Sequence, residues 1–305
     1  MPSPLLGIAL KLASVVLFVV MSALIKAASD EVPTGQTVFF RSFFAMPVIL
    51  VWILWRRELS SGLRVKSVSA HFLRGIVGAG AMGFNFAALG LLPLPEVTAL
   101  SYAGPLLTVI FAAVLLGEKV RIFRMSAVLM GLVGVVIVMW PLLTVSDVNR
   151  AVLWGVIFMM ASAVLRALVQ IHIRRMVATE QTAAIVFYFS LTATLLSLLT
   201  IPFGWVMPGP ADLALLVGSG LIGGVAQICL TAGYRHGEAA LLAPFDYASI
   251  LVAILIGYVV FSDVPTVWML VGSAVVIASG VAIILREHAL GVKSFKARQG
   301  MTPQG

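Results

Sequence analysis

Charge is scarce in this chain. Only 10% of its 305 residues are Asp, Glu, Lys or Arg, where a soluble domain carries about a quarter. Cysteine is nearly absent. The one thiol, Cys229, excludes an internal disulfide and a thiolate metal cluster, and inside an apolar run it reads as a small buried hydrophobe. The four histidines, His71, His172, His236 and His288, lie far apart at the edges of apolar runs. None has metal-ligand spacing, so no metal site is expected. There is no Walker-type glycine loop, no Gly-x-Ser-x-Gly, no His-Glu-x-x-His and no carboxylate cluster. The sequence therefore argues against a nucleotide-driven pump and against an enzyme, and implies no cofactor.

What is abundant is apolar surface, at 61% of residues. A core of this length could not bury that much and still leave a wettable exterior, so lipid is the expected solvent. Runs long enough to cross a bilayer fall at 5–28, 35–55, 70–91, 96–116, 122–140, 150–173, 181–201, 211–233, 238–261 and 266–286. The first lacks a basic n-region, is interrupted by Lys11 and is followed by nine similar runs, so it reads as a retained helix. Pro93 and Pro95 separate the third run from the fourth.

The net charge of +8 is a matter of topology, and no nucleic-acid partner is needed. The even-numbered loops and the tail hold Arg56, Arg57, Arg64, Lys66, Arg74, Lys119, Arg121, Arg124, Arg174, Arg175, Arg235, Arg286, Lys293, Lys296 and Arg298. The odd-numbered loops hold Arg150, and collect Asp30, Glu31, Glu96, Asp147, Asp212 and Asp263. Basic loops stay inside, so both termini are expected in the cytoplasm.

The chain reads as an all-α polytopic membrane protein with ten transmembrane helices. Residues 5–140 and 150–286 hold five helices each, and 287–305 form a cytoplasmic tail. Five is odd, so related halves would be inverted repeats. Weak internal similarity supports this. The fourth run begins Glu96-Val97-Thr98-Ala99-Leu100 and meets Pro105; the ninth begins Glu238-Ala239-Ala240-Leu241-Leu242 and meets Pro244. They lead to Gly117-Glu118 and Ser262-Asp263, and glycines follow: Gly131 and Gly134, then Gly272 and Gly280.

Several residues put polar chemistry inside the spans. A charge in the bilayer needs a partner or a watery cavity. Lys26 lies close to an outer end and reads as snorkelling to water. Arg74 lies near a cytoplasmic end and reads as a topology residue. Arg41, one to two turns into its helix, reads either as snorkelling in the same way or as a site residue; Lys11, Arg166 and Asp246 are harder to dismiss. Asp246 is eight residues into its helix, about 12 Å deep, just after Pro244. A carboxylate beside a loosened helix suits a substrate or proton site, and equally a packing ion pair with Lys11 or Arg166. Asn85, Tyr102 and Tyr247 lie deep enough to hydrogen-bond a ligand or stack on a flat ring, whereas Gln170 reads as a helix-packing amide. Gly75, Ala79 and Gly83, and likewise Gly220 and Gly224, are spaced to let helices touch.

With these residues in view, the chain resembles the drug/metabolite transporter superfamily, specifically its EamA-type ten-helix carriers. The matching stretches are Phe39-Phe40-Arg41-Ser42, Leu92-Pro93-Leu94-Pro95-Glu96, Pro105-Leu106-Leu107 running to Leu116-Gly117-Glu118-Lys119-Val120, and Ala243-Pro244-Phe245-Asp246-Tyr247. Ser262-Asp263 departs from the more usual Gly-Glu, at a membrane edge where little functional consequence is expected. The resemblance implies two inverted five-helix repeats and alternating access in a bacterial inner membrane. It implies a small-molecule substrate in a lipid-embedded protein, and fits a monomer or a homodimer equally. The opening Gly7-Ile8-Ala9-Leu10-Lys11 and the stretch Val38-Phe39-Phe40-Arg41-Ser42-Phe43-Phe44 look most like riboflavin uptake carriers. S-adenosylmethionine uptake carriers are the other group within the family that the chain resembles most, and amino-acid exporters share most of these motifs.

Overall fold

The computed structural model describes residues 4–57, 62–117, 120–144, 150–176, 179–236 and 242–299. The expected Glu118, Lys119, Asp147 and Glu238–Leu241 features lie outside the described residues.

A polypeptide in hydrocarbon must satisfy its own backbone hydrogen bonds, which the long apolar runs do as helices. They are α1 (Pro4–Ala28), α2 (Thr34–Trp55), α3 (Val68–Leu89), α4 (Leu94–Ser101), α5 (Ala103–Leu116), α6 (Ile122–Thr144), α7 (Arg150–Met176), α8 (Thr182–Leu198), α9 (Pro210–His236), α10 (Ala248–Phe261) and α11 (Val267–Gln299). Nine spans among the described residues are long and apolar enough to cross a membrane, and the shorter apolar helix Ala183–Leu198 is the tenth of the sequence reading. The chain is an all-α, multi-pass membrane protein. Large apolar side chains such as Val51, Val114, Leu251 and Val259 are exposed on its flanks, the surface that lipid covers.

Two spans are not continuous helices. The fourth begins after Pro93, whose φ of −59° and extended ψ start α4, and is interrupted at Tyr102. The ninth opens with a 3₁₀ turn, Ala243–Tyr247, that carries Pro244. Both then end in the same way. Gly117 caps α5 with φ +65° and Ser262 caps α10 with φ +57°. A left-handed residue frees its N–H to bond back into the last turn, here to Ala112 and Gly257 carbonyls.

The helix contacts fall into matching pairs between the first five spans and the last five. Helix α1 packs on α9 as α3 packs on α7; α2 packs on α9 as α3 packs on α8; α5 packs on α7 as α10 packs on α1. The pairs α2 with α8, α4 with α10, and α6 with α11 complete the pattern. Small residues allow these crossings. A Cβ on Gly134 would stand 2.8 Å from the Gly272 carbonyl oxygen, and one on Gly272 would stand 2.6 Å from that of Gly134. Gly220 and Gly224 seat α9 on Phe44 and Val48 of α2, and Gly75 meets Thr192 of α8. Gly83 faces open space, so the spacing of small residues on α3 overstates its contact face.

Each end of the bundle is fastened differently. At the acidic end, Gln36 forms a two-way amide pair with Val206, donating to its carbonyl at 2.8 Å and accepting from its N–H at 3.1 Å. There too the Asp263 carboxylate accepts from Leu94 N–H at 3.3 Å. At the basic end, the Glu180 carboxylate accepts the N–H groups of Lys66 at 3.1 Å and Ser67 at 2.7 Å and meets His71 Nε2 at 3.3 Å. Burial raises the Glu180 pKa, but these donors outweigh it and hold the carboxyl below its ordinary range.

Candidate functional site

The breaks in the fourth and ninth spans face each other. Tyr102 sits between α4 and α5 with φ −72° and ψ −9°. Its hydroxyl donates to the backbone carbonyl of Asp246 and lies 2.7 Å from Ser249 Oγ. The Tyr102 and Tyr247 rings stack, with centroids 4.9 Å apart and planes at 24°. The Tyr247 hydroxyl is lodged against Gly280 of α11, where a Cβ would overlap it.

Asp246 is ion-paired with Lys11 of α1, Nζ to Oδ1 2.7 Å. Of the two partners that the sequence left open, Lys11 is the one the structure selects. Beside them lies a cavity of about 310 Å³, lined by Asn85, Thr98, Tyr102, Arg166, Asp246 and Ser249 together with apolar side chains of α1. Asn85 donates weakly to Met159 Sδ at 3.9 Å. Arg166 donates to Ser162 Oγ at 3.2 Å, and that hydroxyl donates to the Ala81 carbonyl at 2.7 Å. The serine therefore positions the guanidinium, which lines the cavity.

Six of the seven sequence candidates converge here: Lys11, Asn85, Tyr102, Arg166, Asp246 and Tyr247. Arg41 does not. It lines a separate cavity with Arg74 and Phe189. Arg74, read from sequence as a loop-facing topology residue, turns inward, its guanidinium carbon 4.1 Å from the Phe189 ring centroid. Lys26 also turns inward instead of snorkelling. It donates to Leu92 O at 2.8 Å and Leu89 O at 3.4 Å, the carbonyls left free where α3 ends. Gln170 is exposed. Thr98 and Ser249 were missed by the sequence reading. Their helical context carries no signal beyond a hydroxyl on an apolar run.

The geometry is that of a polar, partly charged cavity between two broken helices in a multi-pass protein. The EamA-like transporter family matches residues 5–140 and again 153–286. The chain belongs to that family. EamA-like members are transporters, and this chain is accordingly a transporter and not an enzyme. Among its relatives is a pseudopaline exporter of Pseudomonas aeruginosa, 28% identical over 281 residues, covering 91% of this chain and 95% of that protein. An S-adenosylmethionine uptake transporter of Rickettsia prowazekii is 25% identical over 281 residues, with 92% and 93% covered. A riboflavin transporter of Vibrio cholerae is 27% identical over 280 residues, with 90% and 92% covered. A crystal structure of 23% sequence identity matches with a TM-score of 0.68 over 93% of this chain and 98% of that one, a likeness of fold.

Proposed function

We propose that this EamA-like protein is a secondary carrier of the bacterial inner membrane, with both termini cytoplasmic, that binds a small metabolite in the Tyr102–Asp246 cavity. Residues 5–140 and 150–286 act as two inverted repeats that rock about the bound substrate, giving alternating access. The exchange symmetry of the helix contacts supports this, as does the excess of basic residues in even-numbered loops.

One observation carries the assignment of the site. The Lys11–Asp246 pair joins α1 to the 3₁₀ turn of the ninth span at the wall of a cavity that also holds Arg166 and Tyr102. Lys11 and Asp246 neutralise each other, so Arg166 leaves the lining cationic. That favours a neutral or anionic ligand over a cation such as S-adenosylmethionine. The Tyr102 ring and its hydroxyl suit a flat heteroaromatic, so riboflavin taken up is the leading substrate.

A second reading follows from Arg166. A guanidinium in the cavity wall is suited to a carboxylate, and an amino-acid-derived acid moved outward would use it. The chain's similarity to an exporter supports the outward direction of that alternative. Purified protein in liposomes, offered riboflavin, S-adenosylmethionine and aromatic amino acids in turn, distinguishes them. Saturable riboflavin flux is expected; amino-acid flux without riboflavin flux would select the second reading.

A further inference from the structure

Away from the Tyr102–Asp246 cavity, α2, α3, α8 and α9 enclose a second polar space. Arg41 lies seven residues from the first residue of α2 and Arg74 six from the first residue of α3. These helices run in opposite directions. At about 1.5 Å per residue, both guanidiniums reach the middle third of a ~30 Å hydrocarbon core. They share a cavity of about 50 Å³ lined also by Phe189, Ser190, Gly223 and Gln227.

We propose that Arg41 and Arg74 form an anion site that holds one carboxylate group or one halide ion at the level of the bilayer core. Arg41 is 9% exposed, and its Nε has no hydrogen-bond partner. Arg74 Nε and Nη1 are shielded and equally without partners. Among the described residues, no carboxylate lines the cavity. A guanidinium does not escape this cost by losing its proton. Two of them sharing one low-dielectric space repel each other. The Phe189 ring, with centroid distances of 4.1 Å to Arg74 and 6.0 Å to Arg41, offsets only part of this cost. A single negative charge between them satisfies both sets of donors.

The cavity is shaped for this. Gly78 leaves the space that the Arg74 guanidinium occupies, since a Cβ there would overlap it, and a Cβ on Gly223 would lie 3.6 Å from Arg41 Nε. Gln227 and Ser190 supply neutral donors. The volume suits a lone carboxylate or halide rather than a whole metabolite, water taking about 30 Å³. Met21 forms the wall toward the larger cavity. It lines that cavity, and its Sδ would be 2.7 Å from a Cβ on Gly223. The anion therefore comes either from solution or as the carboxylate of a substrate that displaces Met21.

The site rests on its own geometry, independent of the substrate assigned to the larger cavity. The test is ³⁵Cl line broadening by the purified full-length protein in detergent. Saturable broadening that acetate displaces is expected from the wild type. It should fall about tenfold in Arg41→Gln and in Arg74→Gln, and persist in Arg166→Gln. Displacement by L-phenylalanine at concentrations where acetate is ineffective identifies a substrate-borne carboxylate. Displacement by acetate alone identifies a free anion. Absence of saturable broadening in folded wild-type protein overturns the proposal without any variant, and so does broadening unchanged in both arginine variants. Riboflavin flux measured in parallel keeps the readings apart, because flux without chloride binding removes the anion site and leaves the carrier standing.

Discussion

Lys11 and Asp246 form one ion pair but are not equally hidden: the lysine side chain is 3% exposed and the aspartate 42%. The carboxylate is the half of the pair that faces the cavity. A ligand or a proton can therefore compete for Asp246 while Lys11 stays enclosed by helices. A pair built this way serves packing in one state and can be broken in another.

That asymmetry predicts the outcome of a double-mutant cycle. Asp246→Asn should insert and express, yet lose about tenfold or more in uptake, equivalent to about 1.4 kcal/mol. Lys11→Met should lower thermal stability by leaving a carboxylate without its partner. In Lys11→Met/Asp246→Asn, stability should recover while uptake does not. Recovery of both would mark the pair as packing alone. Melting temperature and liposome uptake of the three variants check this.

Gly280 should act through Tyr247. A methyl at Gly280 collides with the Tyr247 hydroxyl, and moving that ring unstacks it from Tyr102. Gly280→Ala should cost about 1–3 kcal/mol of stability and raise KM more than it lowers kcat. Substrate titration of uptake by Gly280→Ala and by Tyr247→Phe separates the effects, since Tyr247→Phe keeps the ring and should leave KM near wild type.

Ser262 carries a left-handed backbone where the first half has glycine, φ +57° against +65° at Gly117. A non-glycine residue there is strained by roughly 1–2 kcal/mol. Ser262→Gly should raise the melting temperature without altering transport, as expected for a position at a membrane edge. A melting curve and an uptake rate are sufficient.

Glu180 gives the fold a pH dependence at the basic end. Its folded pKa is depressed by the donors of Lys66, Ser67 and His71 against the opposing effect of burial. Its contribution is therefore complete above the unfolded carboxylate value, about 4.3, and is lost as pH falls through the lower folded value. Glu180→Gln should lower the melting temperature by about 2–4 °C at neutral pH, and the difference should close as pH falls below the unfolded carboxylate value and through the lower folded one. A gap independent of pH would assign Glu180 a purely steric role.

Much of the architecture was legible because hydrocarbon imposes a length and a composition on each span. The break before α4 was legible too, since Pro93 and Pro95 cannot continue α3. Asp246 and Tyr102 stood out because polar groups on apolar runs must find partners. What the sequence hid was direction. Lys26 is as close to a helix end as a snorkelling lysine. Its inward turn depends on the Leu89 and Leu92 carbonyls, which are free only because the chain bends there. Arg74 reads as a loop cation until α8 brings Phe189 beside it. That Arg41 would meet Arg74 and not Asp246 is a fact of how α2 and α3 cross α8 and α9, and no local pattern encodes it.

The carrier role of the Tyr102–Asp246 cavity is tested most directly by riboflavin uptake into liposomes holding either wild-type protein or Asp246→Asn, matched for inserted protein. That role predicts saturable flux from the first and at least a tenfold loss in the second. Equal, saturable flux from both would contradict it, because the cavity carboxylate would then take no part in moving the substrate.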